Sequence, residues 1–106
     1  MGQNNFVLLG FLSIIPEKDP IIDIEGIPYV RALMESGPAD VGEVHPVFIT
    51  GEAANIAYKE FEKRPGGFLA LGRGKFKTFN NKTHPIINYL ESYEPGEWLL
   101  RRAREN

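Results

Sequence analysis

Val47-Phe48-Ile49-Thr50-Gly51-Glu52-Ala53-Ala54-Asn55-Ile56-Ala57-Tyr58-Lys59-Glu60-Phe61-Glu62-Lys63-Arg64-Pro65-Gly66-Gly67-Phe68-Leu69-Ala70-Leu71 changes its hydrophobic period twice. Up to Thr50 it is a run of β-branched and aromatic residues, the make-up of a buried strand. From Glu52 to Arg64 the apolar residues recur at helical spacing. Ala53, Ala57 and Phe61 lie four apart, with Ala54, Ile56 and Tyr58 flanking them. Glu52 in the first turn and Lys63-Arg64 in the last suit the helix dipole, and Pro65-Gly66-Gly67 stops the helix. At Phe68 the strand pattern resumes. One helix framed by strands, in a chain of 106 residues, is a single-domain arrangement.

Towards the N-terminus, Phe6 to Ile15 predicts a long strand, and Gly10 inside it predicts a bend or bulge. Pro16 to Gly26 reads as a polar loop holding Glu17, Asp19, Asp23 and Glu25. Ile27 to Ser36 reads as a second strand. Val30, Ala32 and Met34 alternate with Arg31 and Glu35, one face dry and the other wet. Ser36-Gly37-Pro38-Ala39-Asp40 is a turn cluster. Val44 to Thr50 is the third strand, and Pro46 implies an edge or bulge there. Towards the C-terminus, Phe68 to Phe79 and His84 to Tyr93 read as two further strands joined by Asn80-Asn81-Lys82-Thr83. Trp98-Leu99-Leu100-Arg101-Arg102 has the make-up of a short amphipathic helix. The expected fold is mainly β: a five-stranded Greek-key barrel of the OB type, with one helix between strands three and four. Residues 1–94 form the domain and 95–106 a short tail.

Hydrophobic residues at 42% and charged residues at 25% are ordinary for a globular domain and argue against disorder. The chain has no cysteine, which removes disulfides, thiolate zinc sites and cysteine nucleophiles. Met1-Gly2-Gln3-Asn4-Asn5 carries no positive charge ahead of its apolar stretch, unlike a signal peptide. Phe6 stands where a myristoylation signal needs Ser or Thr. The apolar run from Phe6 to Ile15 is about half of what a membrane span needs. A soluble, cytoplasmic protein without a membrane partner is expected.

The net charge is −2, but its distribution is uneven. Residues 1–58 hold only Lys18 and Arg31 against eight acidic groups. Residues 59–82 hold seven basic groups against Glu60 and Glu62. A basic stripe on an acidic body is a footprint for phosphate binding, and also the ordinary look of a solvated surface. Arg73, Lys75, Lys77 and Phe79 fall at every second position, so one strand face carries all four, while Gly72, Gly74, Phe76 and Thr78 take the other. Cations with a flat ring are what sequence-tolerant single-strand binding needs. The competing reading is an outward charged face with Phe79 tucked beneath a neighbour. Tyr29 with Arg31 is a second pair on one strand face, with core packing of Tyr29 equally expected. Lys82, between the last two strands, suits reaching a phosphate, and a plain solvated lysine is equally expected. Phe48 reads as core, and Trp98 as packing against the barrel or a subunit.

Catalytic and cofactor signatures are missing. Gly72-Arg73-Gly74 begins a dinucleotide pattern, but Lys77 takes the third glycine's place. Gly74-Lys75 is followed by Phe76 where a phosphate loop needs Ser or Thr, and Leu69 replaces its first Gly. His45 and His84 each precede a proline and suggest no metal site. The acidic loop from Glu17 to Glu25 lacks calcium-loop spacing. A non-enzyme without cofactor or metal is expected.

Three stretches resemble the bacterial single-stranded DNA-binding protein family. Asn4-Asn5-Phe6-Val7-Leu8-Leu9-Gly10-Phe11-Leu12 followed by Pro16-Glu17 resembles its opening strand. Val47-Phe48-Ile49-Thr50-Gly51-Glu52-Ala53-Ala54 resembles its third strand entering the helix. Phe68 to Phe79 resembles its fourth strand, an apolar run and a Gly followed by basic and aromatic residues. The match spans roughly residues 4–90 in order. It implies single-stranded DNA as ligand, roles in replication, repair or recombination, and a homo-oligomer, dimer or tetramer. Phe79 matches a stacking aromatic of the fourth strand. The chain departs from the family at Val44 and Thr50, where stacking aromatics are usual. It ends in Arg101, Arg102, Arg104, Glu105 and Asn106 rather than in a long acidic tail. RNA as ligand, and a protein-interaction module with weak or no nucleic-acid binding, are the alternatives.

Overall fold

A computed structural model of the chain describes residues 5–15, 18–36 and 43–94. β1 (Asn5–Ile14) is long enough to serve two neighbours. Its residues 5–12 pair with β5 (Phe68–Phe79), and residues 11–14 pair with β3 (Ile27–Ser36). The switch between partners occurs next to Gly10. A Cβ there would lie 2.0 Å from the Glu35 carbonyl oxygen, so only glycine permits the approach. β3 pairs with β4 (Glu43–Ile49), β4 pairs in parallel with β6 (Lys82–Tyr93), and β6 pairs with β5. The order β1-β5-β6-β4-β3, closed by β1–β3, is a ring. This is the Greek-key barrel of an OB fold.

One element departs from the expected five strands. β2 (Ile21–Ile24) lies inside the stretch read as a loop, and pairs only with β3 at the end of the sheet order. Glu25 and Gly26, with φ of 54° and 81°, make its turn. Two successive positive φ values give the hairpin twist that suits right-handed strands. The β5–β6 connection is also tighter than expected: Asn80 and Asn81 alone turn the chain, with φ of 50° and 66°. Lys82 and Thr83 already belong to β6. The turn cluster at Ser36–Asp40 lies outside the described residues from Gly37 onward. Pro16 and Glu17 and the tail from Pro95, with Trp98, lie outside them as well.

α1 (Gly51–Lys63) follows Thr50, whose amide donates to the Ile87 carbonyl oxygen. It buries Ala53, Ala57 and Phe61, the stripe expected from their spacing. Phe61 meets Phe68 at 5.1 Å in an edge-on packing. Leu12, Met34, Val47, Ile49 and Ile87 fill the barrel with no exposed surface. Pro46 is tolerated because β4 pairs with β6 only at Phe48 and Ile49, leaving the strand's first half bonded on one side.

Candidate nucleic-acid interface

β5 has no extra residue, so its odd positions share the outer face of the barrel, where Arg73, Lys75 and Lys77 are exposed and Leu71 and Phe79 buried. Gly72 and Gly74 point inward and are buried. Gly74 has no room for a side chain, since its Cβ would meet the Ile86 carbonyl oxygen at 1.7 Å. On β6 the alternation is broken. Arg73 pairs with Tyr89, Gly74 with Ile87 and Lys75 with Ile86, so Asn88 is an extra, bulged residue. The bulge brings Ile86 and Tyr89, three apart, onto the same outer face. Sequence alternation alone gives no sign of this.

The register then assembles the outer face row by row. Arg31, Phe48, Ile86 and Lys75 lie side by side across β3, β4, β6 and β5, and Asn5 of β1 continues the row. Beyond it Lys77 pairs with His84, and Phe79 pairs with Lys82. Of the residues singled out from sequence, Lys75, Lys77, Lys82, Phe79, Arg31 and Tyr29 therefore share one end of the face. Arg73 sits a row away, its guanidinium carbon 5.3 Å from the Tyr89 ring centre. Val44 is exposed on β4, and Thr50 precedes the helix, so neither supplies a ring.

The rings are not laid open. Tyr29 is 3% exposed, Phe79 6% and Phe48 9%. They form a cluster outside the barrel, with centroids 6.0 to 6.4 Å apart and edges meeting faces. Ile22 and Ile24 of β2 pack against it. His84 lies nearly parallel to Phe79 at 5.8 Å and edge-on to Phe48 at 5.0 Å. Lys77 Nζ is 5.3 Å from the Phe79 ring centre. Phe48 is buried, as expected, but in this second cluster and not with Val47 and Ile49. His84 and β2 belong to the candidate site although their sequence signals point elsewhere. The Glu25-Gly26 pair between Ile-rich segments is the one local signal for the hairpin.

Phe79 is first of all part of this packing. Phe79→Leu keeps most of the volume and removes the ring, so it is expected to cost about 1 kcal/mol and about 5 °C of melting temperature. Thermal melting followed by circular dichroism checks this; an unchanged midpoint would remove Phe79 from the cluster's support.

Arg31 is held at both ends of its residue. Its amide donates to the Pro20 carbonyl and its guanidinium to the Asp19 carbonyl at 2.9 Å, which ties the approach to β2 onto the barrel. Thr78 and Thr83 share a hydroxyl hydrogen bond of 3.1 Å across the β5–β6 hairpin.

Between the two hairpins opens a cavity of about 550 Å³. Ile22, Asp23, Ile24 and Glu25 form one wall; Phe79, Asn80, Lys82 and His84 form the other. A smaller cleft of about 260 Å³ opens by the bulge, lined by Arg73 and Lys75 together with Asn5 and Asn88. Among the described residues no group of three or more His, Cys, Asp or Glu side chains could hold a metal ion. No helix among them is long and apolar enough to cross a membrane.

A solved structure with the same architecture is the dimeric N-terminal domain of PriB protein from Thermoanaerobacter tencongensis. The two share a barrel. The TM-score is 0.59 at 13% identity, covering 86% of this chain and 97% of that one. At that identity the likeness is one of fold. No protein-family model and no curated protein matches the chain.

Proposed function

We propose that this protein binds single-stranded DNA without chemical change and with broad sequence tolerance, in replication, repair or recombination. The observation that carries the reading is the outer face that Lys75 and Lys77 share with Lys82, at whose Lys82 end a cavity lined by Phe79 and His84 opens between two hairpins. OB barrels bind oligonucleotides on their second and third strands and on the loops after the first and fourth. Here those parts are β3, β4, the β2 hairpin and the β5–β6 turn. The cations track the phosphates, Arg73 and Lys75 extending the path to the cleft at the bulge. The cavity receives a base. A cytoplasmic homo-oligomer fits the same reading. Support comes from the dimeric PriB domain and from the exposed apolar Val7 and Phe11 on the outer side of β1.

The test is fluorescence anisotropy of a labelled mixed-sequence single strand at low and physiological salt, with duplex DNA and single-stranded RNA as controls. Binding to the single strand is expected to weaken steeply as salt rises, because each neutralised phosphate releases about 0.7 counterion. Light scattering on the same samples gives the oligomeric state. No binding even at low salt would retire the reading. It would favour a protein-interaction module instead, which the closed ring cluster and the missing aromatics at Val44 and Thr50 would suit.

A further inference from the structure

The cavity between the hairpins is polarised. Lys82, Asn80 and His84 form its β5–β6 wall; β2 and the turn residue Glu25 form the other, where Asp23 alternates with Ile22 and Ile24 and so turns its side chain away from the face they pack. No ion pair joins the two sides among the described residues, so each wall keeps its own sign. A nucleotide has a matching polarity, anionic at the phosphate and neutral at the base edge. A phosphate is drawn to Lys82 and repelled from the opposite wall. The base edge is then what faces Glu25.

An ionised carboxylate only accepts hydrogen bonds. Facing it, a base edge must donate. Cytosine N4, adenine N6 and guanine N2 are amino groups that do so, whereas thymine and uracil present carbonyl oxygens beside their single ring N–H. Ile22, Ile24 and Phe79 supply the apolar lining against which such a base would lie. Glu25 is held at the turn in a left-handed conformation, φ 54°, which fixes where its side chain leaves the hairpin. We infer that this cavity is a subsite for an amino-bearing base, with Glu25 as its selecting residue. The inference rests on the single-strand binding proposed above and adds a bias to it. The chain disfavours thymine and uracil tracts within an otherwise tolerant grip.

The experiment compares labelled dC and dT tracts of roughly 15 nucleotides, within the site size of one OB barrel. Both are pyrimidine tracts, so differences in their own stacking are small. The protein is tested as wild type and as Glu25→Gln, which retains the side chain's shape and removes its charge. Wild type is expected to hold dC about five-fold tighter than dT, the low end of what one base-edge contact discriminates. In the variant that ratio should fall towards one. A ratio that is the same in both proteins overturns the subsite, even if both bind DNA well. A wild type that binds neither tract at low salt overturns the proposed function, and the subsite with it. Amide chemical shifts on adding dCMP or dTMP give a second readout. Shifts at Glu25, Asn80 and His84 should be larger with dCMP, and equal shifts would count against the selection.

Discussion

Replacing Lys75 and Lys77 together by Glu is expected to weaken binding of mixed-sequence single-stranded DNA at least ~100-fold at about 0.1 M salt. Both side chains are exposed on the outer face, and their partners across β6 are Ile86 and His84. Neither lysine takes part in an ion pair among the described residues, so removing it leaves no buried charge behind. Beyond the contact of Lys77 with the Phe79 ring, which thermal melting of the variant monitors, the loss is one of ligand contacts. Each phosphate contact on a single strand contributes a factor of roughly five at this salt, and reversal replaces attraction by repulsion of similar size. The same change should reduce the slope of log affinity against log salt by about 1.4. Lys59→Glu with Lys63→Glu is the control. It alters net charge equally, but on exposed positions of α1, away from the β5 face. If the two double variants lose affinity equally, the interface is not on β5, and the protein's overall field governs binding. If neither loses affinity, the outer face carries no phosphate path.

The parts of this face that sequence reveals are those governed by local period. β5 and β3 have the limits that their patterns predict, and the alternation from Arg73 to Phe79 holds because β5 runs without a bulge. The helix stripe of Ala53, Ala57 and Phe61 is legible for the same reason. What period cannot show is which strand lies beside which. His84 joins the site only because the β5–β6 register sets it opposite Lys77, and Tyr89 joins the outer face only because Asn88 is skipped. β2 escaped for a different reason. Ile21-Ile22-Asp23-Ile24 is short, is apolar at three of four positions, and sits among acidic and proline residues. Its strand character comes from pairing with β3 and from packing Ile22 and Ile24 on the ring cluster. Burial of Phe79 follows from that packing. A ring at a strand's end is exposed or covered according to what lies above it, and the cover here is a hairpin some fifty residues earlier in the chain.

Gly10→Ala is expected to destabilise the fold by about 3 kcal/mol, a fall in melting temperature of about 15 °C. The added methyl would stand 2.0 Å from the Glu35 carbonyl oxygen and 3.2 Å from the Met34 sulfur. Met34 can rotate; a backbone carbonyl cannot. Relief requires β1 and β3 to move apart, and Phe11↔Glu35 is the first of the four pairs by which β1 closes the ring. Opening there exposes Leu12 and Met34, both fully buried. The cost thus combines steric strain with lost burial at the seam of the barrel. Gly66→Ala is the contrast. Nothing lies within 4 Å of its added methyl, so it should change stability by under about 1 kcal/mol, and in the stabilising direction through reduced freedom of the unfolded chain. Chemical and thermal denaturation of the two variants decides the matter. A Gly10→Ala protein that melts with the wild type would mean that β1 does not close against β3 at Glu35. The ring, and the outer face whose rows depend on it, would then have to be redrawn.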